Sequence, residues 1–248
     1  MRLSHTSLGD GLRLCYDSQD HIIGGQIAAT GLYEPFEETL LLSALNQGDS
    51  VIDIGANIGV YTLQMAQKVG KYGKVYAIEP EPHNIKILER NIAENKFSQV
   101  EVLPFALSNK QSRTKLYLSY DNFGDHRIYD GDYVRKRKTI SVVAKTLDSL
   151  LYKKTGNISV MKIDTQGYEP FVIEGAQKIL QREKPILFME YWPFGYRKSG
   201  ADKEKMLHFL SSLYSEVYYI DGEKKLLNPF SQNVLSEEED AWANLLFT

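Results

Sequence analysis

The chain has 248 residues, 43% of them hydrophobic and 25% charged, which suits one soluble α/β domain with room for an insertion. A net charge of −3 gives no global electrostatic case for nucleic acid, and one cysteine, Cys15, excludes an internal disulfide or a cysteine-ligated zinc site. No apolar run reaches the ~18 residues of a membrane span and the first residues do not open a signal peptide, so the expected location is the cytoplasm.

In chain order, residues 8–29 carry short apolar runs broken by Gly9, Gly11, Gly24 and Gly25, which predicts a hairpin in an extension covering residues 1–32. Pro35, Glu37 and Glu38 suit a first helical turn, with Leu40, Leu41 and Leu45 as its buried stripe and Gly48 as its stop. Val51–Ile54 is a short continuous apolar run, as a central parallel strand should be. Ile58, Tyr61, Thr62, Met65 and Val69 then share one helix face, Val75–Ile78 is the second strand, and Pro82 starts a helix striped by Ile85, Leu88 and Ile92. Val100–Leu107 reads as the third strand. The regularity stops over about residues 109–145, longer than an ordinary loop, where Lys115–Leu118 and Ile140–Val143 form a strand pair around a polar excursion. The run Arg135-Lys136-Arg137-Lys138 reads as a solvated loop or strand edge. Alternation resumes with Val160–Ile163, a helix from Pro170 to Leu180, and Ile186–Met189. A helix carrying Met206, Leu207, Leu210 and Leu213 leads to the candidate last strands, Val217–Ile220 and Ala243–Phe247. This order predicts a mostly parallel sheet covered on both faces, with ligand beyond the carboxyl ends of its strands.

The chemistry concentrates where Val51–Ile54 breaks into a glycine turn. Asp53-x-Gly55-x-x-x-Gly59 lacks the third glycine that packs a helix against a pyrophosphate, and no G-K-[ST] follows, so dinucleotide and P-loop sites are disfavoured. Asp53 is placed to meet an ammonium, and Glu79, ending the second strand, to accept both hydroxyls of a ribose. Those features fit S-adenosylmethionine (SAM).

With Tyr33-Glu34-Pro35, Asp53–Gly59, Ile78-Glu79-Pro80, Phe105-Ala106-Leu107-Ser108, Thr146-Leu147-Asp148 and Lys162-Ile163-Asp164-Thr165-Gln166-Gly167-Tyr168-Glu169, the chain resembles the FkbM family of SAM-dependent methyltransferases from Tyr33 to the C-terminus. The resemblance implies a Rossmann-like methyltransferase fold over residues 33–248. Its sheet would have seven strands, mostly parallel, with Trp242–Phe247 as an antiparallel last strand. Local pattern alone would make that segment a helix, because Ser236-x-x-Glu239 imitates a capping box.

By the same resemblance Gly55, Ala56 and Asn57 line the methionine part of the cofactor, with Gly59 closing the turn. Glu79 and Pro80 take the ribose side, and Asn84, Phe105, Ala106 and Ser108 the adenine side. Tyr33 and Glu34 fold over the cofactor. Asp164, followed by Gln166, ends the fourth strand near the transferred methyl and is a candidate general base or ammonium ligand. Glu169, near a helix start, is read as a cap.

The insertion offers Asn122, His126 and Arg127 toward an acceptor, His126 being the second candidate base because its ordinary pKa lies near neutral. Glu190, Tyr191 and Trp192, at the end of the fifth strand, suggest a sugar-binding wall. The expected reaction is O-methylation of a glycan or hydroxylated small molecule. N-methylation of a peptide or amine, or cofactor binding without chemistry, are the alternatives. No metal is expected, since no Asp-Asn companion to Asp164 is identifiable, and a homodimer is compatible with the pattern.

Overall fold

The computed structural model describes residues 2–9, 11–131, 136–231, 235–236, 238 and 241–248. Arg135 of the basic run and Glu239 of the capping-box pattern lie outside the described residues.

Strands β1 (Leu3–Ser7) and β2 (Arg13–Asp17) pair antiparallel around a turn closed by Leu8 N–H on the Leu12 carbonyl. The hairpin therefore starts earlier than the glycines predict. Gly24 and Gly25 lie inside helix α1 (Ile23–Thr30), where a Cβ on Gly24 would fall 2.5 Å from the Tyr16 ring. That glycine serves helix-on-strand packing rather than a turn. Helix α2 (Pro35–Ser43) follows.

The cofactor-type unit is β3 (Ser50–Ile54), α3 (Val60–Val69), β4 (Lys74–Ile78), α4 (Pro82–Glu94) and β5 (Val100–Leu103). The predicted third strand breaks after Leu103, whose carbonyl accepts the Phe105 N–H. The rest forms β6 (Ala106–Leu107), which pairs with β8 instead of extending β5. The insertion is an antiparallel pair, β7 (Ser112–Leu118) with β8 (Lys138–Lys145), in register from Ser112↔Ala144 to Leu118↔Lys138.

Helix α5 (Leu147–Leu151) leads to β9 (Ile158–Ile163). The helix expected from Pro170 to Leu180 is two, α6 (Glu169–Glu174) and α7 (Gln177–Glu183). They break at Gly175, where a Cβ would lie 2.1 Å from the Ser108 carbonyl, and the Asp148 carboxylate accepts the Lys178 and Ile179 N–H groups of the second. The chain ends with β10 (Ile186–Tyr191), α8 (Pro193–Ser199), α9 (Lys203–Ser211), β11 (Val217–Asp221), β12 (Leu226–Pro229) and β13 (Ala243–Phe247).

Among the described residues the central sheet has eight strands in the order β12-β11-β13-β10-β9-β3-β4-β5. Strand β13 runs antiparallel to both β10 and β11, so the final segment is a strand inside the sheet. Burial explains this: Ala243, Leu245, Leu246 and Phe247 are all buried, the pattern of an interior strand rather than of a one-sided helix. The extra strand over the expected seven is β12, a hairpin partner of β11 at the edge.

The strand order reverses between β3 and β9, which opens a crevice at their carboxyl ends. The N-terminal hairpin and α1 share a core with that unit: Leu14, Cys15 and Ile27 pack with Ile58, Leu63 and Ile87. Asn91 of α4 holds both the N–H and the carbonyl of Cys15. Among the described residues no helix is long and apolar enough to cross a membrane.

Candidate active site

A cavity of about 400 Å³ opens at the carboxyl ends of β3, β4, β9 and β10, roofed by the insertion and by the starts of α1 and α2. Its floor is the turn after β3. Gly55 sits at φ +82°, and a Cβ there would fall 1.8 Å from the Asp164 carbonyl oxygen, so the turn presses against the end of β9 as only glycine allows. The Gly55 and Ala56 N–H groups both donate to the Ile78 carbonyl. The N–H of Asn57 (φ +51°) is thereby aimed at Glu79 Oε2, 2.9 Å away, while Glu81 N–H holds Oε1 at 2.9 Å. Two backbone donors thus fix the Glu79 carboxylate on the cavity wall, and burial pushes its pKa up to about 7.

Asp53 is buried in β3; its Oδ2 accepts the Thr62 hydroxyl at 2.5 Å, its Oδ1 has no partner, and burial raises its pKa. Opposite it in register is Lys162 of β9, which has no predicted role. Lys162 Nζ lies 3.0 Å from Asp164 Oδ2 and 4.6 Å from the Tyr61 ring centroid. Burial opposes its charge, but Asp164, Asp53 and Glu34 together raise its pKa. Glu34, held in the left-handed region at φ +46°, accepts the Tyr61 hydroxyl at 2.7 Å, and burial raises it to about 7.

Asp164 is less free than a general base needs. Its Oδ2 takes the Lys162 ammonium and its Oδ1 the Gln166 amide at 2.8 Å. Glu169 caps its own loop, accepting the Thr165 N–H and hydroxyl at 2.6 and 2.9 Å.

The roof is the insertion. Phe123 lends its carbonyl to the side-chain amides of Asn57 and Asn84, and its ring lies edge-on to His83 with centroids 5.7 Å apart. Asp20 ties the N-terminal segment to the same loop, accepting the Ile22 and Ile23 N–H groups while His21 N–H reaches the Asp121 carbonyl. His126 lines the cavity, but its Nδ1 accepts the Ser119 N–H at 3.1 Å, which leaves the proton on Nε2. Burial, Arg137 and His83 lower its pKa to about 4. It is a neutral imidazole with its acceptor nitrogen in use, contrary to its expected role as a base. Arg127 and Arg137 both pair with Asp125, and the Arg127 guanidinium lies 4.7 Å from the Trp192 ring centroid. Within the basic run Lys136 and Lys138 are exposed, whereas Arg137 anchors the loop.

The cavity therefore gathers Tyr33, Glu34, Asp53, Gly55, Ala56 and Asn57 with Glu79, Pro80, Asn84, Phe105 and Ala106. Asn122, His126 and Arg127 meet them from the roof, and Asp164, Gln166, Glu190 and Trp192 from the far strands. Three predicted residues stand apart. Gly59 caps α3 and makes room for Leu88 Cδ1, which a Cβ would approach to 2.6 Å. Ser108 is buried with its hydroxyl 3.4 Å from that of Tyr168. Tyr191 points to the other face of the sheet, its ring centroid 5.6 Å from that of Tyr196 and 5.1 Å from that of Phe230. Lys162, Tyr61, Phe123, Trp242 and Asn244 also line the cavity, beyond the site residues the sequence predicts.

Two observations test whether the site suits SAM. Asp53 Oδ1, Asn84 Oδ1 and Glu190 Oε2 are buried in the cavity wall without a protein partner, so polar ligand atoms are wanted there. Glu34, Asp53, Glu79, Asp164 and Glu190 face the cavity together, with Lys162 among them. Such a surround favours a cofactor carrying a sulfonium and an ammonium and opposes a pyrophosphate. The residues fit.

Residues 53–219 match the family described as Methyltransferase FkbM domain. The FkbM methyltransferase of Methylobacillus flagellatus superposes with a TM-score of 0.51 at 16% identity, covering 81% of this chain and 43% of that one. An rRNA methylase from Streptococcus thermophilus gives 0.46 at 13% identity over 85% of this chain and 92% of its own. In sequence, 59 residues (24% of this chain) are 36% identical to a Methanosphaera stadtmanae protein named "Probable ribosomal RNA small subunit methyltransferase A", of which they span 21%. The chain thus spans 21% of the Methanosphaera protein's length and 43% of the Methylobacillus one's. Matched over two thirds of its length, with a cavity built for SAM, the chain belongs to the FkbM methyltransferase family.

Proposed function

We propose that the protein transfers the methyl group of SAM to a hydroxyl of a sugar or similarly hydroxylated acceptor held under the insertion. The observation that carries this reading is one continuous cavity in which the acidic cofactor end meets a polar-aromatic end made by Trp192, Arg127, Asn122 and Gln166. An aromatic face beside amide and guanidinium donors is the lining that recognises a hydroxyl-rich ring. When bound, the cofactor would supply an electrophilic methyl on sulfonium, and the cavity's residues would align the acceptor hydroxyl with it and take up the proton that the hydroxyl gives up. Asp53 and Glu34 hold the cationic end, Glu79 the ribose, and the Asn57–Phe123–Asn84 contacts keep the roof down and water out. Most of the acceleration then comes from alignment.

The test is transfer of label from methyl-labelled SAM to monosaccharides, glycan extracts, peptides and amines, with products identified by mass and linkage. Label recovered as a sugar methyl ether supports the proposal. Label on nitrogen selects amine methylation instead, and calorimetric SAM binding with no transfer to any acceptor selects a binding module.

A further inference from the structure

Of the two bases the sequence suggests, neither has a free acceptor atom, whereas among the buried carboxylates Asp53, Glu169 and Glu190 each keep one oxygen without a partner, and of these Glu190 lines the acceptor end of the cavity. Asp164 gives one oxygen to Lys162 and the other to Gln166, and His126 gives Nδ1 to the Ser119 N–H. Both oxygens of Glu79 accept backbone N–H groups. Glu190, the penultimate residue of β10, differs. Gln166 Nε2 reaches its Oε1 at 3.3 Å while donating to Asp164 at 2.8 Å, and its Oε2 has no partner. The residue is 8% exposed and lines the cavity beside Asn244, its register partner on β13. An unsatisfied carboxylate oxygen at that depth is costly unless a ligand meets it.

The main chain at Gln166 is itself held, since its backbone carbonyl accepts the Tyr129 hydroxyl at 2.8 Å. The Gln166 amide thus reaches one oxygen of Glu190 and leaves the other without a protein partner.

We propose that Glu190, which lines the cavity with Asp164 and Trp192 and keeps one oxygen unpartnered, is the proton acceptor of the methyl transfer. The inference rests on the reading of the cavity as a SAM-dependent methyl-transfer site. In the step, the acceptor O–H bond breaks toward Glu190 Oε2 as the C–O bond forms and the S–C bond of the donor breaks; the carboxylate ends as a carboxylic acid. Burial and the nearby Asp164 and Glu169 raise the Glu190 pKa well above the usual carboxylate range, which strengthens it as a base.

The test uses two cofactor analogues and the full chain. S-adenosylhomocysteine lacks the methyl, whereas sinefungin carries a protonated amine at that position. Calorimetry should show wild-type protein favouring sinefungin, with that preference falling tenfold or more in Glu190→Gln while S-adenosylhomocysteine affinity stays within threefold. With an acceptor in hand, the same variant should lose ~10²–10⁴-fold in kcat at unchanged KM for SAM. A preference unchanged in Glu190→Gln overturns the assignment. Should that variant not fold, Glu190→Asp, which keeps the charge but withdraws it by one methylene, must lower the preference, and an unchanged preference there is equally fatal. Wild-type protein that binds neither analogue refutes the SAM site itself, a result distinct from failure of the Glu190 assignment.

Discussion

The side-chain amides of Asn57 and Asn84 converge on one acceptor, the carbonyl of Phe123, at 2.9 and 3.3 Å. One amide belongs to the turn after β3 and the other to the first turn of α4, so the two walls of the cofactor site jointly hold the roof. Asn57→Asp and Asn84→Asp each replace a donor by an acceptor at nearly constant shape, and aspartate still tolerates the left-handed backbone at position 57. Loss of a hydrogen bond worth ~1–2 kcal/mol should speed hydrogen exchange in residues 120–128 by roughly 5–30-fold in each variant. Because the amides share one carbonyl, the double variant should depart from additivity. Exchange at the wild-type rate in both single variants would remove the clamp from the account.

Lys162 carries the second prediction. It is buried, pairs with Asp164, faces the Tyr61 ring, and neighbours Asp53 and Glu34. Lys162→Met keeps the apolar stem but leaves buried carboxylates without their cation, a change that costs on the order of 3–5 kcal/mol. Thermal melting of the ligand-free protein should show a fall of many degrees. Sinefungin, which brings positive charge back into the cavity, should raise the melting temperature of the variant by more than it raises that of the wild type. A melting temperature within two or so degrees of wild type would show that the carboxylates are not stabilised through Lys162.

Much of this was readable from residue order, for reasons that differ by element. The apolar runs Val51–Ile54 and Val75–Ile78 are buried on both faces, which leaves a strand no other sequence signature. Period-two alternation carries further information. It puts Lys162 with Asp164, and Glu190 with Trp192, on the cavity face, and it turns Tyr191 away. What local sequence did not contain was tertiary. Gly24 resembles a turn former until Tyr16 is seen to occupy the space of a Cβ, and Gly175 reads as helix interior until the Ser108 carbonyl is seen to press on it. His126 resembles a base until the Ser119 N–H, Arg137 and its own burial are in place. The break between β5 and β6 follows from pairing with β8, some forty residues later in the chain.

The last prediction concerns pH. Burial raises Glu34, Glu79 and Glu169 from the ordinary 4.5 to about 7 in the folded protein. Over that interval the folded chain binds more protons than the unfolded one, so each group contributes stability at low pH that is lost as pH rises from 4.5 through about 7. His126 acts in the opposite sense. Its folded pKa drops from 6.5 to about 4, so the unfolded chain binds the extra proton and stability is lost as pH falls below 6.5. The two effects oppose between pH 4.5 and 6.5, while from 6.5 to 8 the carboxyls act alone. With three carboxyls against one imidazole, ligand-free protein should therefore melt at lower temperature as pH rises from 4.5 through about 7, and level off toward pH 8. His126→Asn, whose amide oxygen can still accept the Ser119 N–H, should steepen the decline between pH 4.5 and 6.5, and Glu79→Gln should make it shallower. A wild-type melting temperature that stays flat or rises between pH 6.5 and 8 would mean that these carboxyls ionise in the folded protein as they do in the unfolded chain.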